Sequence, residues 1–143
     1  DDSGQKTLTW QYLRAVNHQL RVLGPMMNRL TSTGVFFTSP PPVTDLPLLP
    51  GTVVKEIQST ASPRGMSDAQ PPIMVGEFRD TQGDDWVMLV NLSLERSTNI
   101  RVTTVKSCER IEVISAEDGR FVPLDTQNGH WLLAGHGLLI RFE

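Results

Sequence analysis

Residues 73–92 read IMVGEFRDTQGDDWVMLVNL. Two β-rich runs, Ile73 to Arg79 and Trp86 to Leu92, flank the polar stretch Thr81-Gln82-Gly83-Asp84, which has the composition of a turn. The spacing predicts two antiparallel strands. In the second run Trp86, Met88, Val90 and Leu92 point one way, and Val87 and Leu89 point the other. Side chains alternate between the faces of a strand, and a strand with one wet face would show polar residues at every second position. This one does not, so both of its faces need apolar cover. One side calls for a packed sheet. On the other, cover is expected from the N-terminal helix or from a proline-rich segment.

The same period continues on both sides of this stretch. Val53–Gln58, Asn99–Val105, Ile111–Ala116, Phe121–Leu124, His130–Leu133 and Leu138–Phe142 all read as strands. Asp118-Gly119 and Asn128-Gly129 separate three of them and carry the signature of hairpin turns. About eight strands with turns every eight to twelve residues predict a mainly β chain, an antiparallel β-sandwich. Trp86 and Trp131 fall inside strand patterns and are expected in the core.

Residues 7–23 carry a different period. Tyr12, Leu13, Ala15, Val16, Leu20 and Leu23 share one arc of a helical wheel, and Trp10, Arg14, Asn17, His18 and Arg21 share the opposite arc. Thr7 or Thr9 is placed to cap this amphipathic helix. Gly24-Pro25 is expected to end it and to start a short second helix reaching about residue 31. The helix is expected to pack on the sheet through Tyr12, Val16, Leu20 and Leu23, or to turn that arc towards a further domain. After the short run Val35–Thr38, Pro40, Pro41, Pro42, Pro47 and Pro50 exclude helix and central strand. Ser59 to Pro72 reads as a mobile loop. The chain therefore divides into a helical segment (1–33), a strand and proline-rich connection (34–52) and a sandwich (53–143).

The 143 residues are 38% hydrophobic and 20% charged, enough for one folded domain with an appendage. A net charge of −3 argues against a general nucleic-acid binder, and no apolar run reaches the length of a membrane span. Cys108 stands alone, so no internal disulfide forms. Charge is uneven along the chain. Residues 6–30 hold Lys6, Arg14, Arg21 and Arg29 and no Asp or Glu. A solvated helix face accounts for this run most simply; the sharper reading makes Trp10, Arg14, His18 and Arg21, on one helix face, the candidate contacts for a partner bearing an acidic surface. With no initiator Met and no signal-peptide plan at Asp1 to Lys6, the sequence is expected to be a processed form or, preferably, a fragment of a longer polypeptide.

Catalytic and metal motifs are missing. His18, His130 and His136 lack metal-ligand spacing, and no nucleophile elbow, zinc-protease helix or phosphate loop occurs. Glu77, Asp80, Asp84 and Asp85 cluster at one hairpin, and Glu117 and Asp118 at another. Paired carboxylates perform glycoside chemistry, and Asp80, Asp84 and Asp85 are candidate calcium ligands. Turn formation accounts for these acids more simply. No catalytic residue, cofactor or metal site is assigned from the sequence. Asn91-Leu92-Ser93 matches the glycosylation acceptor pattern.

Tyr12-Leu13-Arg14-Ala15-Val16-Asn17, Leu23-Gly24-Pro25, Leu30 and Gly34-Val35-Phe36 resemble the last barrel helix and exit strand of certain glycoside hydrolases. Val75-Gly76-Glu77-Phe78, Val87-Met88-Leu89-Val90-Asn91, Asp118-Gly119 and Leu133-Ala134-Gly135-His136-Gly137-Leu138-Leu139 resemble their C-terminal β domain, as found in β-galactosidase-like (β/α)₈ proteins. Ala134 and His136 stand where related tails often have Pro and Asp. The resemblance runs from residue 10 to residue 142. It implies an accessory, non-catalytic β-sandwich whose partner is an upstream catalytic domain of the same polypeptide. The catalytic carboxylates would lie on that domain, and the protein would be secreted or periplasmic. Two alternatives stand beside it: a carbohydrate-binding module with exposed aromatics on one sheet face, and a protein-interaction domain using the basic helix face. Neither nucleic acid nor membrane is an expected partner.

Overall fold

Residues 6–39, 45–61 and 70–143 are described by the computed structural model. Pro40, Pro41, Pro42 and most of the loop expected between Ser59 and Pro72 lie outside those residues, as do Asp1 to Gln5. The two strands read from residues 73–92 form as expected: β3 (Ile73–Arg79) and β4 (Asp85–Asn91) pair antiparallel, with Val75 opposite Leu89 and Phe78 opposite Trp86. Around them lie α1 (Leu8–Met27), β1 (Thr31–Phe37), β2 (Val54–Ala61), β5 (Thr98–Thr104), β6 (Ile111–Ile114), β7 (Phe121–Pro123), β8 (His130–Leu132) and β9 (Gly137–Phe142). Among the described residues, these nine strands make a six-stranded sheet ordered β1-β3-β4-β9-β6-β7 and a three-stranded sheet ordered β2-β5-β8. Every strand pairing within them is antiparallel. Over the described residues the chain is a mainly β, two-sheet fold with one N-terminal helix.

Strand β4 obtains cover on both faces. Val87 and Leu89 point inward and join Ile73, Val75 and Ile140 of the large sheet against Val54, Ile57, Ile100 and Leu132 of the small one. Trp86 and Met88 point outward. Buried Trp86 packs with Leu139 and Ile114, and Leu23, Met26, Met27 and Leu30 close over them. The end of the helical segment therefore supplies the second cover.

The helix departs from expectation in two ways. It runs through Gly24-Pro25 to Met27, with Thr7 as N-cap and Asn28 as C-cap, instead of breaking at Gly24. A residue before proline normally avoids helix because its Cβ meets the proline ring. Gly24 has no Cβ, and Met26 and Met27 gain burial only if the last turn continues. Second, the helix does not pack along the arc Tyr12, Val16, Leu20 and Leu23. Only Leu23 joins the core, while Tyr12, Val16 and Leu20 are 63%, 51% and 64% exposed. No residue of the helix is fully buried.

Two turn-related expectations also change. Asp118-Gly119 closes the β6–β7 hairpin, and Gly119 takes a φ of +73° that suits glycine. Asn128-Gly129 does not close a hairpin: β7 belongs to the large sheet and β8 to the small one, so this turn carries the chain between sheets. The Asp125 carboxylate closes it locally, accepting from the Gln127 and Asn128 N–H groups and from Asn128 Nδ2. Trp131 is not core. Leu132 takes the inward position on β8, and strand alternation turns Trp131 outward beside Asn99, 52% exposed.

Candidate docking face

Cap and composition set the start of α1. The Trp10 N–H donates to Thr7 Oγ1 at 3.2 Å, the bond a threonine N-cap supplies. From there Trp10, Arg14 and Arg21 recur on one side, so the helical period brings the expected partner-contact residues together. Trp10, Leu13, Arg14, Asn17, His18 and Arg21 line one shallow surface. Lys6 Nζ lies 4.4 Å from the centre of the Trp10 ring, and the Arg14 guanidinium lies 5.6 Å from it. Both are within cation–π range. His18 stands at the border of this face. Its Nε2 donates to the Glu117 carbonyl at 2.8 Å, fastening the middle of α1 to the β6–β7 turn.

The apolar arc forms a second surface. Tyr12, Val16, Leu20 and Leu23 face Met88 and the Gly135–Gly137 segment across an open groove. Gly135 and Gly137 narrow the β8–β9 connection there, and the Gly135 N–H donates to Ser93 O, tying that connection to the loop after β4.

The acidic residues singled out in the sequence have structural partners. Asp80 organises the β3–β4 turn: Oδ1 accepts from the Gln82 and Asp84 N–H groups, and Oδ2 accepts from the Trp86 indole at 3.0 Å. Burial works to raise its pKa, but the bonds from Trp86, Gln82, Asp84 and Gly83 outweigh that and hold the carboxyl below its ordinary value. Asp85 pairs with Arg79 at 2.9 Å. Among the described residues, no three His, Cys, Asp or Glu side chains are grouped to hold a metal ion. No helix among them is long and apolar enough to cross a membrane.

Glu77 has a role the sequence did not signal. It is fully buried. Oε1 accepts from the Val53 and Val54 N–H groups at 2.9 and 2.8 Å, and Oε2 accepts from the Thr52 N–H and hydroxyl at 2.9 and 2.6 Å. A carboxylate taken up by four donors anchors the entry to β2. Nothing in an isolated Glu within a strand announces this, although its position opposite Val87 on an inward-facing row marks it as a buried polar side chain. Asn91 is likewise buried, with Nδ2 donating to the Arg96 and Leu133 carbonyls and Oδ1 accepting from the Ser93 N–H. The amide of the glycosylation pattern is thus committed inside the fold.

Compared with family models, with characterised proteins and with solved structures, the chain matches none.

Proposed function

We propose that this chain is a non-catalytic accessory β-sandwich, held by α1 to an upstream catalytic domain of a glycoside-hydrolase-like polypeptide. The observation that carries the reading is the helix itself. An amphipathic helix of 20 residues keeps its apolar arc in water along four turns. Its exposed Leu8, Tyr12, Leu13, Val16 and Leu20 offer roughly 500 Å² of apolar surface, taking a fully exposed large side chain at about 150–200 Å². Free-standing protein complexes typically bury about 800 Å² per partner. A patch this small suits a neighbour on the same chain, where tethering supplies an effective concentration in the millimolar range. The resemblance of residues 10–36 to a barrel helix and exit strand gives that neighbour its type.

The test uses the natural full-length polypeptide. Hydrogen exchange over residues 8–21 should be slow there and fast in the 143-residue chain alone, and Val16→Ser with Leu20→Ser should make it fast in both. Equal exchange in the two unsubstituted forms, or a full-length protein without a preceding domain, overturns the reading. The 143-residue chain should show no turnover of aryl glycosides that survives repurification.

One observation favours carbohydrate binding as a second reading. Trp131 stands on the outer face of the small sheet in a row with Asn99 and Thr60, next to Arg101 and Gln58. An indole beside amide and guanidinium groups has the chemistry to stack on a sugar ring and bond its hydroxyls. Calorimetric titration with oligosaccharides should show binding that Trp131→Ala removes. Absence of any signal across a glycan array sinks this reading.

A further inference from the structure

Building on the docking of α1 proposed above, we infer that its basic face, formed by Trp10, Arg14 and Arg21 with Lys6, receives a compact acidic patch on the neighbouring domain. The cations are prearranged by the ring between them. Lys6 and Arg14 both sit against the Trp10 ring, and Arg21 follows Arg14 by seven residues, about 10 Å along the axis. Among the described residues, no carboxylate lies within ion-pair distance of Lys6, Arg14 or Arg21. The first turn of α1 holds no acid either.

Charge elsewhere selects the kind of anion. A single phosphate cannot span cations two turns apart. A nucleic acid or an anionic bilayer would, but it would extend past α1 onto the rest of the chain. Outside residues 6–30 the chain holds nine Lys or Arg against all sixteen Asp and Glu, a formal charge of −7. Glu117 stands close by, because His18 bonds its backbone carbonyl, while Asp118 beside it is paired with Arg120. Repulsion acts over a Debye length of about 8 Å at physiological salt, so an extended polyanion meets a penalty that a local acidic patch on a protein avoids. Complementary charge of this kind sets register and partner choice.

The experiment compares Arg14→Gln/Arg21→Gln with the unsubstituted full-length polypeptide. Exchange of the α1 amides should accelerate about tenfold or more in the variant, as expected from losing charge-assisted bonds, and raising NaCl to about 0.5 M should bring the unsubstituted protein towards it. Unchanged exchange in the variant overturns the inference. If Val16→Ser with Leu20→Ser frees the helix while the arginine variant does not, the accessory-module reading stands and this inference fails. In the 143-residue chain, a Trp131→Phe background leaves Trp10 as the exposed indole. Its emission should respond to a synthetic helix bearing glutamates seven residues apart, and not to a single-stranded oligonucleotide or to phosphatidylserine vesicles. A response to either of the latter equal to that of the peptide overturns the choice of an acidic protein surface.

Discussion

Replacing Glu77 by Gln keeps the shape of the side chain and turns one acceptor oxygen into a donor. The carboxylate now serves three backbone N–H groups and one hydroxyl. A glutamine oxygen serves only one side. The cheaper orientation leaves its oxygen to Val53 and Val54 and its NH₂ towards Thr52, whose hydroxyl can rotate to accept. The Thr52 N–H is then opposed by a donor, and the remaining bonds lose their charge assistance. Hydrogen bonds to charged groups contribute about 1.5–3 kcal/mol each, and an orphaned buried donor costs about 1–3 kcal/mol. The expected loss is about 3 kcal/mol, a large share of the roughly 5–15 kcal/mol that holds a domain together. Urea unfolding followed by tryptophan fluorescence should show a lower midpoint at unchanged slope. A cycle with Gly51 localises the effect. A Cβ on Gly51 would strike the Glu77 carboxylate and the Phe36 ring. Gly51→Ala should therefore cost less in a Glu77→Ala background than in the unsubstituted protein, by about 1 kcal/mol or more. A Glu77→Gln variant within about 0.5 kcal/mol of the unsubstituted chain would refute the claim that this carboxylate anchors the entry to β2.

Three further outcomes follow from the packing and the titrating groups. Leu139→Ala, in the cluster beneath the helix end, should cost about 2–5 kcal/mol, whereas Leu20→Ala in this chain should cost under about 0.5 kcal/mol; equal losses in denaturant titration would contradict the exposed arc. Burial holds the His130 imidazole below its ordinary value of 6.5, so the unfolded chain binds the proton more readily. Stability should be full above that value, fall as pH drops through it, and level off below the folded pKa, and His130→Gln should flatten this part of the thermal-melt profile. Asp80→Asn should cost about 1–2 kcal/mol, because one amide oxygen cannot serve both the turn N–H groups and the Trp86 indole, and it should shift Trp86 emission; an unchanged spectrum would count against the indole bond.

Strands were legible wherever the period of two was strong. Ile73 to Arg79 is β3 to the residue, and β4, β5 and β9 lie within one residue of the runs read from the sequence. The doubly apolar pattern of β4 also carried real information, since it required a cover that the helix end provides. Two features were not legible, because partner choice is non-local. Asn128-Gly129 specifies a turn, but it cannot specify that the strands on either side pair with β6 and with β5. Trp131 has strand composition on both sides, and only the inward choice of Leu132 fixes which way the indole faces. The candidate face was legible in part. Helical spacing placed Trp10, Arg14 and Arg21 together, but no local signal showed that His18 reaches a backbone carbonyl 99 residues away.

The position of the helix follows from where its apolar residues find partners. Leu23, Met26, Met27 and Leu30 seal the outer side of Trp86, Leu139 and Ile114. Full burial of such a side chain contributes roughly 1.5–3 kcal/mol, and these four, each partly buried, contribute a share of that together, so the last turn of α1 cannot lift away without exposing a core tryptophan. The preceding turns carry no comparable burial, and His18 with its single bond to the β6–β7 turn is their main polar tie. Isolated helical turns are marginal in water, so the stretch from Leu8 to Leu20 leans on the anchored end for its direction. A surface that docks on Tyr12, Val16 and Leu20 would therefore grip an element rooted in the sandwich, and a load on that element would reach the β4–β9 sheet directly. This is the property an accessory domain needs if its packing is to hold a neighbour in place: an exposed recognition stretch continuous with a buried anchor.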